Sequence, residues 1–214
     1  MKHIFLITLF AGLIVPTGLY AQKVHKDAND KVYLILTKAA GMPAGTTTNV
    51  SKYSGATAPA TGFLYTTNSS SNQVNGSINA DVFEKFEIAP FDINKAGQIS
   101  GSGTFGMTWV EAFNGCKNAR YPGPSDGGWR LPTQRELMLM YIFSSAIDEI
   151  FYRLGTAKAA QFNKTQSNAG NYFCATEHNA TTAWYVAFWN GNAYYSAGDK
   201  NGSLRARCIR EVTN

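Results

Sequence analysis

Residues 127–137 read GGWRLPTQREL, and this stretch indicates the end of a strand, a forced turn and the start of a helix. Pro132 fixes its own φ angle and disfavours the helical conformation at Leu131. Thr133 is then a good N-cap, and the Glu136 side chain can reach back to it and complete a capping box. The stretch therefore predicts that the chain leaves a strand at Leu131 and enters a helix after Thr133.

Two helices are predicted from start signals of this kind. Residues 108–111 read TWVE, a second capping box, and open a short helix that ends at Cys116. Residues 137–143 are apolar on nearly every side, which predicts a buried helix that runs to about Ser144. One or two further helical turns are expected over residues 147–154.

The C-terminal third alternates with a period of two, which is typical of β-strands. Along residues 183–189 two faces are expected, made of Trp184, Val186 and Phe188 and of Tyr185, Ala187 and Trp189. Asn190-Gly191 then gives a strong hairpin signal. With short strands at 172–176 and 192–197 and a last strand at 203–212, the sequence predicts an antiparallel β-meander.

The chain begins with a signal-peptide pattern over residues 1–21. A short basic start precedes the apolar run Ile4–Val15, and Ala21 supplies the small residue that a signal peptidase needs. The run is shorter than the roughly 20 residues of a membrane-spanning helix, although an uncleaved N-terminal anchor is the alternative. We expect cleavage after Ala21, no membrane span in the mature chain, and export to the periplasm, the cell surface or the extracellular space.

The mature chain divides by composition into two parts. Residues 22–81 are rich in Gly, Ala, Ser, Thr and Asn, and predict a β/loop-rich segment or linker with a strand at 31–38. Residues 82–214 begin with a strand at 82–89 and contain the predicted helices and meander. About 130 residues are enough for one domain with its own core.

The charge distribution is uneven and argues against nucleic acid as a partner. The formal net charge is +5, and residues 115–214 carry eleven basic and seven acidic side chains. The chain has no dense Lys/Arg run, and an exported protein does not meet nucleic acid in its usual compartment. The positive field therefore belongs to the C-terminal half.

The motifs of the C-terminal part occur in an order that resembles the Lcl C-terminal domain family. They are TWVEA (108–112) before Cys116, GWRLPTQREL (128–137), FCATE (173–177), AWYVAF (183–188) before Asn190-Gly191, and RCIR (207–210). The order is also distantly similar to the formylglycine-generating sulfatase-modifying enzymes. The resemblance implies an α+β, C-type-lectin-like domain with two helices and an antiparallel β-meander over about residues 82–214.

The resemblance assigns two of the three cysteines to structure. Cys116 at a helix end and Cys208 in the last strand are the expected disulfide pair, which leaves Cys174 free. Three pairings are possible, and Cys174–Cys208 is the next alternative. Cys174 and His178 share a strand face about 13 Å apart, too far for a hydrogen bond, so Cys174 is expected to be a buried filler.

No metal and no cofactor are predicted. Calcium-dependent sugar-binding lectins use a Glu-Pro-Asn or Gln-Pro-Asp loop with a Trp-Asn-Asp strand, and this chain has neither. Calcium ligation needs several clustered oxygens, whereas the carboxylates of Glu177, Asp199 and Glu211 are isolated in the sequence.

Candidate ligand-binding residues lie in the meander. Trp189 is the one tryptophan expected at the surface, beside Tyr194 and Tyr195, whereas Trp109, Trp129 and Trp184 are expected to pack in the core. Arg205 and Arg207 alternate with apolar residues and are expected to point outwards, with Lys200 in the preceding turn. Side chains about 6–7 Å apart on one strand face could bind successive anionic groups. The alternative is a solvated face without a ligand.

Members of the resembled family are typically exported, often lie at bacterial surfaces or on pili, and include a founding type similar to an adhesin for sulfated glycans. The resemblance implies a non-catalytic binding or adhesion module whose partner is an anionic glycan or another surface protein. One alternative is a structural subunit of a pilus or envelope complex, recognisable by strand exchange between protomers. A second is a formylglycine-generating-like oxidase, which would need another reactive thiol near Cys174.

Overall fold

The computed structural model describes residues 23–35, 85–123, 125–155, 161–194 and 199–212, and these ranges form an α+β fold. The predicted signal peptide, residues 36–84 and Tyr195 lie outside the described residues. Three α-helices and eight strands are described: β1 Lys23–Lys26, β2 Val32–Ile35, β3 Lys85–Ile88, α1 Trp109–Asn118, β4 Trp129–Arg130, α2 Gln134–Ile142, α3 Ser144–Arg153, β5 Asn171–Glu177, β6 Ala183–Ala187, β7 Ala193–Tyr194 and β8 Ile209–Glu211.

The strands form two antiparallel sheets. The larger sheet has the order β1-β2-β3-β8-β4, and the smaller has the order β5-β6-β7. The predicted α+β class and the antiparallel pairing are confirmed. In the larger sheet β8 lies between β3 and β4, and its Ile209 is opposite both Ile88 and Arg130.

The prediction for the last strand is wrong in two respects. Regular pairing covers only Ile209–Glu211 of the predicted residues 203–212, and β8 joins the larger sheet instead of extending the meander. Leu204 and Arg205 instead form isolated bridges with Met107 and Tyr172. Because the segment changes neighbours along its length, its alternation does not define one exposed face.

The helices differ from the prediction in number and burial. A third helix, α3, spans ten residues where one or two turns were expected. α2 is buried on one side only: Leu137 and Met140 are fully covered, whereas Ile142 is 63% exposed. None of the helices in the described ranges is long and apolar enough to cross a membrane.

The first two strands form a hairpin that belongs to the larger sheet. Asp27 closes its turn by accepting hydrogen bonds from the backbone of Asn29 and Lys31 and from the hydroxyl of Tyr33. β2 pairs with β3, and its Val32 and Leu34 are buried among core residues of the C-terminal part. At least this hairpin of the predicted N-terminal segment is therefore integrated into the same fold.

β5 and β6 lie between two hydrophobic clusters. The first cluster is built around Trp109 and Trp129, and the second around Phe86 and Phe151. Successive residues of the two strands alternate between them: Phe173, Ala175, Tyr185 and Ala187 join the first, and Tyr172, Cys174 and Val186 the second. The predicted alternation is confirmed, but both faces of this sheet are buried.

A disulfide joins Cys116 of α1 to Cys208, immediately before β8, with their Cα atoms 5.5 Å apart. Cys174 is free and buried. The predicted pairing is confirmed. The bond links residues 92 positions apart, so in the chain-entropy model it stabilises the fold by about 4–5 kcal/mol.

Both predicted capping boxes are present, and Glu136 of the second one also binds a residue outside its helix. The Glu136 carboxylate accepts a hydrogen bond from the Thr133 backbone at 2.8 Å and two from the Arg130 guanidinium at 2.7 Å each. Arg130 also donates through Nε to Glu211 of β8. These ionised side chains are at most 4% exposed, so each relies on its partners in place of water.

Replacement of Glu136 tests this buried network. Glu136→Ala leaves the Arg130 guanidinium without its bidentate carboxylate, and we expect a loss of about 3–5 kcal/mol in the free energy of unfolding by urea. Glu149→Ala is the matched control, because Glu149 pairs with Arg153 on the exposed face of α3. That change should cost at most roughly 0.5 kcal/mol. Equal losses in the two variants would contradict a special role for the buried pair.

Candidate functional site

Arg205 lies in a cleft of about 310 Å³, which we call the Arg205 cleft. Three segments meet there: the residues before α1, the turn before β5 and the segment that leads to β8. The cleft is lined by Phe105, Gly106, Asn168, Ala169, Ser203, Leu204 and Arg205. Its volume lies at the lower end of the roughly 300–1,000 Å³ that is usual for ligand sites.

Backbone hydrogen bonds fix the position of Arg205 from both sides. Leu204 and Met107 each donate to the carbonyl of the other. The Arg205 amide donates to the carbonyl of Asn171 at 2.9 Å, and the Phe173 amide donates to the carbonyl of Arg205 at 2.8 Å. The segment is thereby held between the entry to α1 and the buried strand β5.

The Arg205 side chain is held but not fully covered. Its Nη1 donates to Oδ2 of Asp92 at 2.9 Å, and its guanidinium carbon lies 4.8 Å from the ring centre of Phe105. The side chain is 20% exposed. Its Nε is buried and has no hydrogen-bond acceptor among the described residues, so any contact with a ligand must involve the exposed remainder of the side chain.

Asp92 organises the charges behind the cleft. Its carboxylate accepts hydrogen bonds from Arg205, from Nε of Arg207 at 2.7 Å and from the hydroxyl of Tyr172 at 3.1 Å. Burial raises the pKa of Tyr172, so this phenol is a donor throughout the physiological range. Because two guanidinium groups share one carboxylate, these three charged side chains carry a net positive charge.

The structure contradicts the prediction that Arg207 points outwards. Its side chain is fully buried, donates to Asp92 and to the carbonyls of Ala89 and Pro90, and lies 4.6 Å from the ring centre of Phe162. The Arg207 side chain does not meet solvent, because it packs against the segment from Ala89 to Asp92 and against Phe162. Arg207 is therefore placed as an internal ion-pair partner, away from any surface ligand.

Lys200 occupies the predicted turn, but its side chain is also fully buried. Its Nζ lies 2.6 Å from Glu177 Oε1 and 4.6 Å from the ring centre of Trp109. The prediction that Arg205 and Arg207 form an outward cationic pair, with Lys200 beside them, is thus wrong. Of the three predicted cationic residues, Arg205 alone reaches a cleft.

Trp189 is not among the described residues that line the Arg205 cleft, but hydrogen bonds connect its turn to the start of β5. It is 36% exposed, as predicted, and its Nε1 donates to Oδ1 of Asn171, the residue whose carbonyl accepts the Arg205 amide. The Phe188 amide donates to the carbonyl of Gly170, which places this turn beside Asn168 and Ala169 of the cleft. Trp109 and Trp129 are fully buried, as expected, and Trp184 packs against the second cluster.

Tyr194 is held within the β6–β7 hairpin. Its ring stacks on Tyr185 at 5.5 Å between centres, and its hydroxyl accepts hydrogen bonds from the side chains of Asn190 and Asn192. Those two hydrogen bonds lower the pKa of the Tyr194 phenol. Tyr194 is not among the described residues that line the cleft.

Sequence reasoning missed four residues of the site: Asp92, Phe105, Asn168 and Ser203. They contribute through contacts that no spacing in the sequence indicates. In the structure, a Cβ atom at Gly106 would collide with Oγ of Ser203, so glycine there leaves room for that hydroxyl.

Cys174 has the environment of a structural thiol. Its Sγ donates to the carbonyl of Trp184 at 3.0 Å, and burial raises the pKa of the thiol to about 12. A thiol of this kind is protonated at neutral pH and is a poor nucleophile. Within the described residues, no group of three His, Cys, Asp or Glu side chains could hold a metal ion.

The comparisons with known proteins agree with the order of the motifs. A sequence model described as the Lcl C-terminal domain matches residues 94–210, more than half of the chain. The protein belongs to the Lcl C-terminal domain family. No curated protein matches the chain. The matched range contains the disulfide and every lining residue of the Arg205 cleft, whereas Asp92 and strands β1 to β3 precede it.

Thiol labelling tests the placement of Cys174. At about pH 8.5, where an ordinary thiol is half ionised, we expect the folded protein to resist dithiobisnitrobenzoate. Unfolding in urea without reductant should then expose one reactive thiol per chain, because the other two cysteines are bonded. The raised pKa also means that the contribution of Cys174 to stability is lost as pH rises from about 8.5 towards 12. Rapid labelling of the folded protein would contradict this placement.

Proposed function

We propose that this protein is an exported, non-catalytic binding or adhesion module of a bacterial surface or pilus-associated protein, and that it recognises an anionic glycan. The observation that carries the proposal is the Arg205 cleft. A partly exposed arginine side chain lines a concave site of ligand size there. Family membership supports the same class of function, and we propose a C-type-lectin-like fold for the domain.

The cleft has the composition expected for a charged sugar. Arg205 can offer charge-assisted hydrogen bonds to a carboxylate or a sulfate ester. The amide of Asn168 and the hydroxyl of Ser203 can exchange hydrogen bonds with sugar hydroxyl groups. Trp189, which donates a hydrogen bond to Asn171, offers a partly exposed ring suited to contact with the apolar face of a sugar ring.

The environment of the cysteines supports a binding function over an oxidase. Cys116 and Cys208 are bonded to each other, and Cys174 is buried with a raised pKa. An oxidase that uses two active-site cysteines needs a second reactive thiol close to the first, and this chain has three cysteines in all. We therefore expect no conversion of a cysteine peptide to formylglycine, with or without copper.

Export is testable directly. The basic start, the apolar run Ile4–Val15 and Ala21 predict a mature chain that begins at Gln22. Mass spectrometry of the protein purified from its own host should find this N-terminus. An intact Met1 on the secreted or periplasmic protein would contradict the proposal.

Binding to a heparin-type polysaccharide tests the role of Arg205. Arg205→Ala should weaken binding about tenfold or more, because a hydrogen bond to a charged group contributes roughly 1.5–3 kcal/mol. Arg153→Ala is the charge-matched control, since Arg153 is 77% exposed on α3. It should change affinity little.

The salt dependence completes this test. Binding of the parent protein should weaken with added salt, because the screening length shortens to about 8 Å at physiological ionic strength. The unfolding temperature of each variant shows whether the fold is intact. If Arg205→Ala and Arg153→Ala bind equally well, or if salt has no effect, the Arg205 cleft does not bind the polysaccharide.

A further inference from the structure

We infer that the Arg205 cleft binds one acidic sugar unit, through a single carboxylate or sulfate group, and does not bind a run of anionic groups along a polymer. This inference rests on the proposed function and specifies its ligand. It also differs from the sequence-based expectation, in which Arg205 and Arg207 bind successive anionic groups of the ligand.

The number of cations at the cleft is the first argument. Arg205 is the only charged residue among the described residues that line it. Arg207 and Lys200 are fully buried and engaged by Asp92 and Glu177. A second anionic group of the ligand would therefore find no second cation to pair with in the described part of the cleft.

The size of the cleft is the second argument. About 310 Å³ is at the bottom of the range for ligand sites, which suits one ring with its substituents better than a chain of several sugars. The site thus favours the end of a glycan over its interior.

The anchoring of Arg205 is the third argument. Asp92 holds Nη1, and Phe105 packs on the guanidinium, so the side chain presents one fixed edge. A fixed edge selects by geometry, whereas flexible lysines on an open surface would respond mainly to charge density. Asp92 is 3% exposed and does not line the cleft in the described part of the chain, so a ligand there would meet Arg205 and not the carboxylate.

Competition with small sugars tests the inference. The full mature protein is bound to an immobilised heparin-type polysaccharide and challenged with glucuronic acid, N-acetylglucosamine 6-sulfate or glucose, with ionic strength matched by sodium chloride. At least one acidic monosaccharide should displace the polymer completely, and glucose should need at least tenfold more. The two acidic sugars distinguish a carboxylate site from a sulfate site. The affinity for the polymer should fall with salt with a logarithmic slope of roughly −1, as expected when one cation of the protein pairs with one charge of a polyanion.

Two variants separate the charge from the shape of the cleft. Arg205→Gln should abolish the preference for the acidic sugar over glucose. Gly106→Ala forces the Ser203 hydroxyl to move, so it should lower the affinity for the acidic monosaccharide at least threefold. It should leave the salt slope unchanged. Arg153→Ala, which removes an exposed positive charge on α3, should affect neither quantity.

The outcomes distinguish this inference from the function on which it rests. If the polymer binds in an Arg205-dependent way, but no acidic monosaccharide competes and the slope is roughly −2 or steeper, the single-unit inference is wrong and anionic glycan binding stands. If neither the polymer nor any acidic monosaccharide binds the folded protein, the proposed function fails, and the inference fails with it.

Discussion

The carboxylate of Glu136 holds three parts of the structure together. It caps α2, binds the guanidinium of Arg130 in β4, and through Arg130 is connected to Glu211 in β8. Because β4 also pairs with β8, one helix and the larger sheet are fixed relative to each other. The chain that enters β8 passes through the disulfide at Cys208, so the segment that carries the cleft is fixed at its C-terminal end.

Buried ion pairs join distant segments at further places in the fold. Asp92 binds Arg205 and Arg207 across more than 110 positions of the chain, and Glu177 binds Lys200 from β5. Burying charges costs free energy that a pair only partly recovers, so such contacts are weak evidence for stability alone. However, each buried charge requires its partner at one position. A chain that folded with its segments in other positions would leave that charge buried without a partner. In this fold the ion pairs fix the position of residues 200–207 relative to Asp92 and to Glu177 of β5.

Local patterns in the sequence were sufficient for local structure. The two capping boxes, the alternation of residues 183–188 and the hairpin that joins β6 to β7 each depend on neighbours within a few positions. The disulfide could be inferred from the family resemblance and from the places of Cys116 and Cys208. Alternation failed for Arg207 because it separates two faces but does not say whether the second face meets water. The burial of Lys200 likewise depends on Glu177, whose position relative to the turn is set by tertiary packing.

The candidate site was predictable only in part for the same reason. Arg205 and Trp189 could be chosen from residue type and pattern, but the carboxylate that orients Arg205 is Asp92, which lies 113 positions earlier. Asp92 and the carbonyls of Ala89 and Pro90, which bind Arg207, all precede the residues matched by the family. A piece restricted to residues 94–210 would lose the carboxylate that both guanidinium groups share. The orientation of the cleft cation is therefore a property of the larger fold, in which β3 and the N-terminal hairpin complete the sheet around β8.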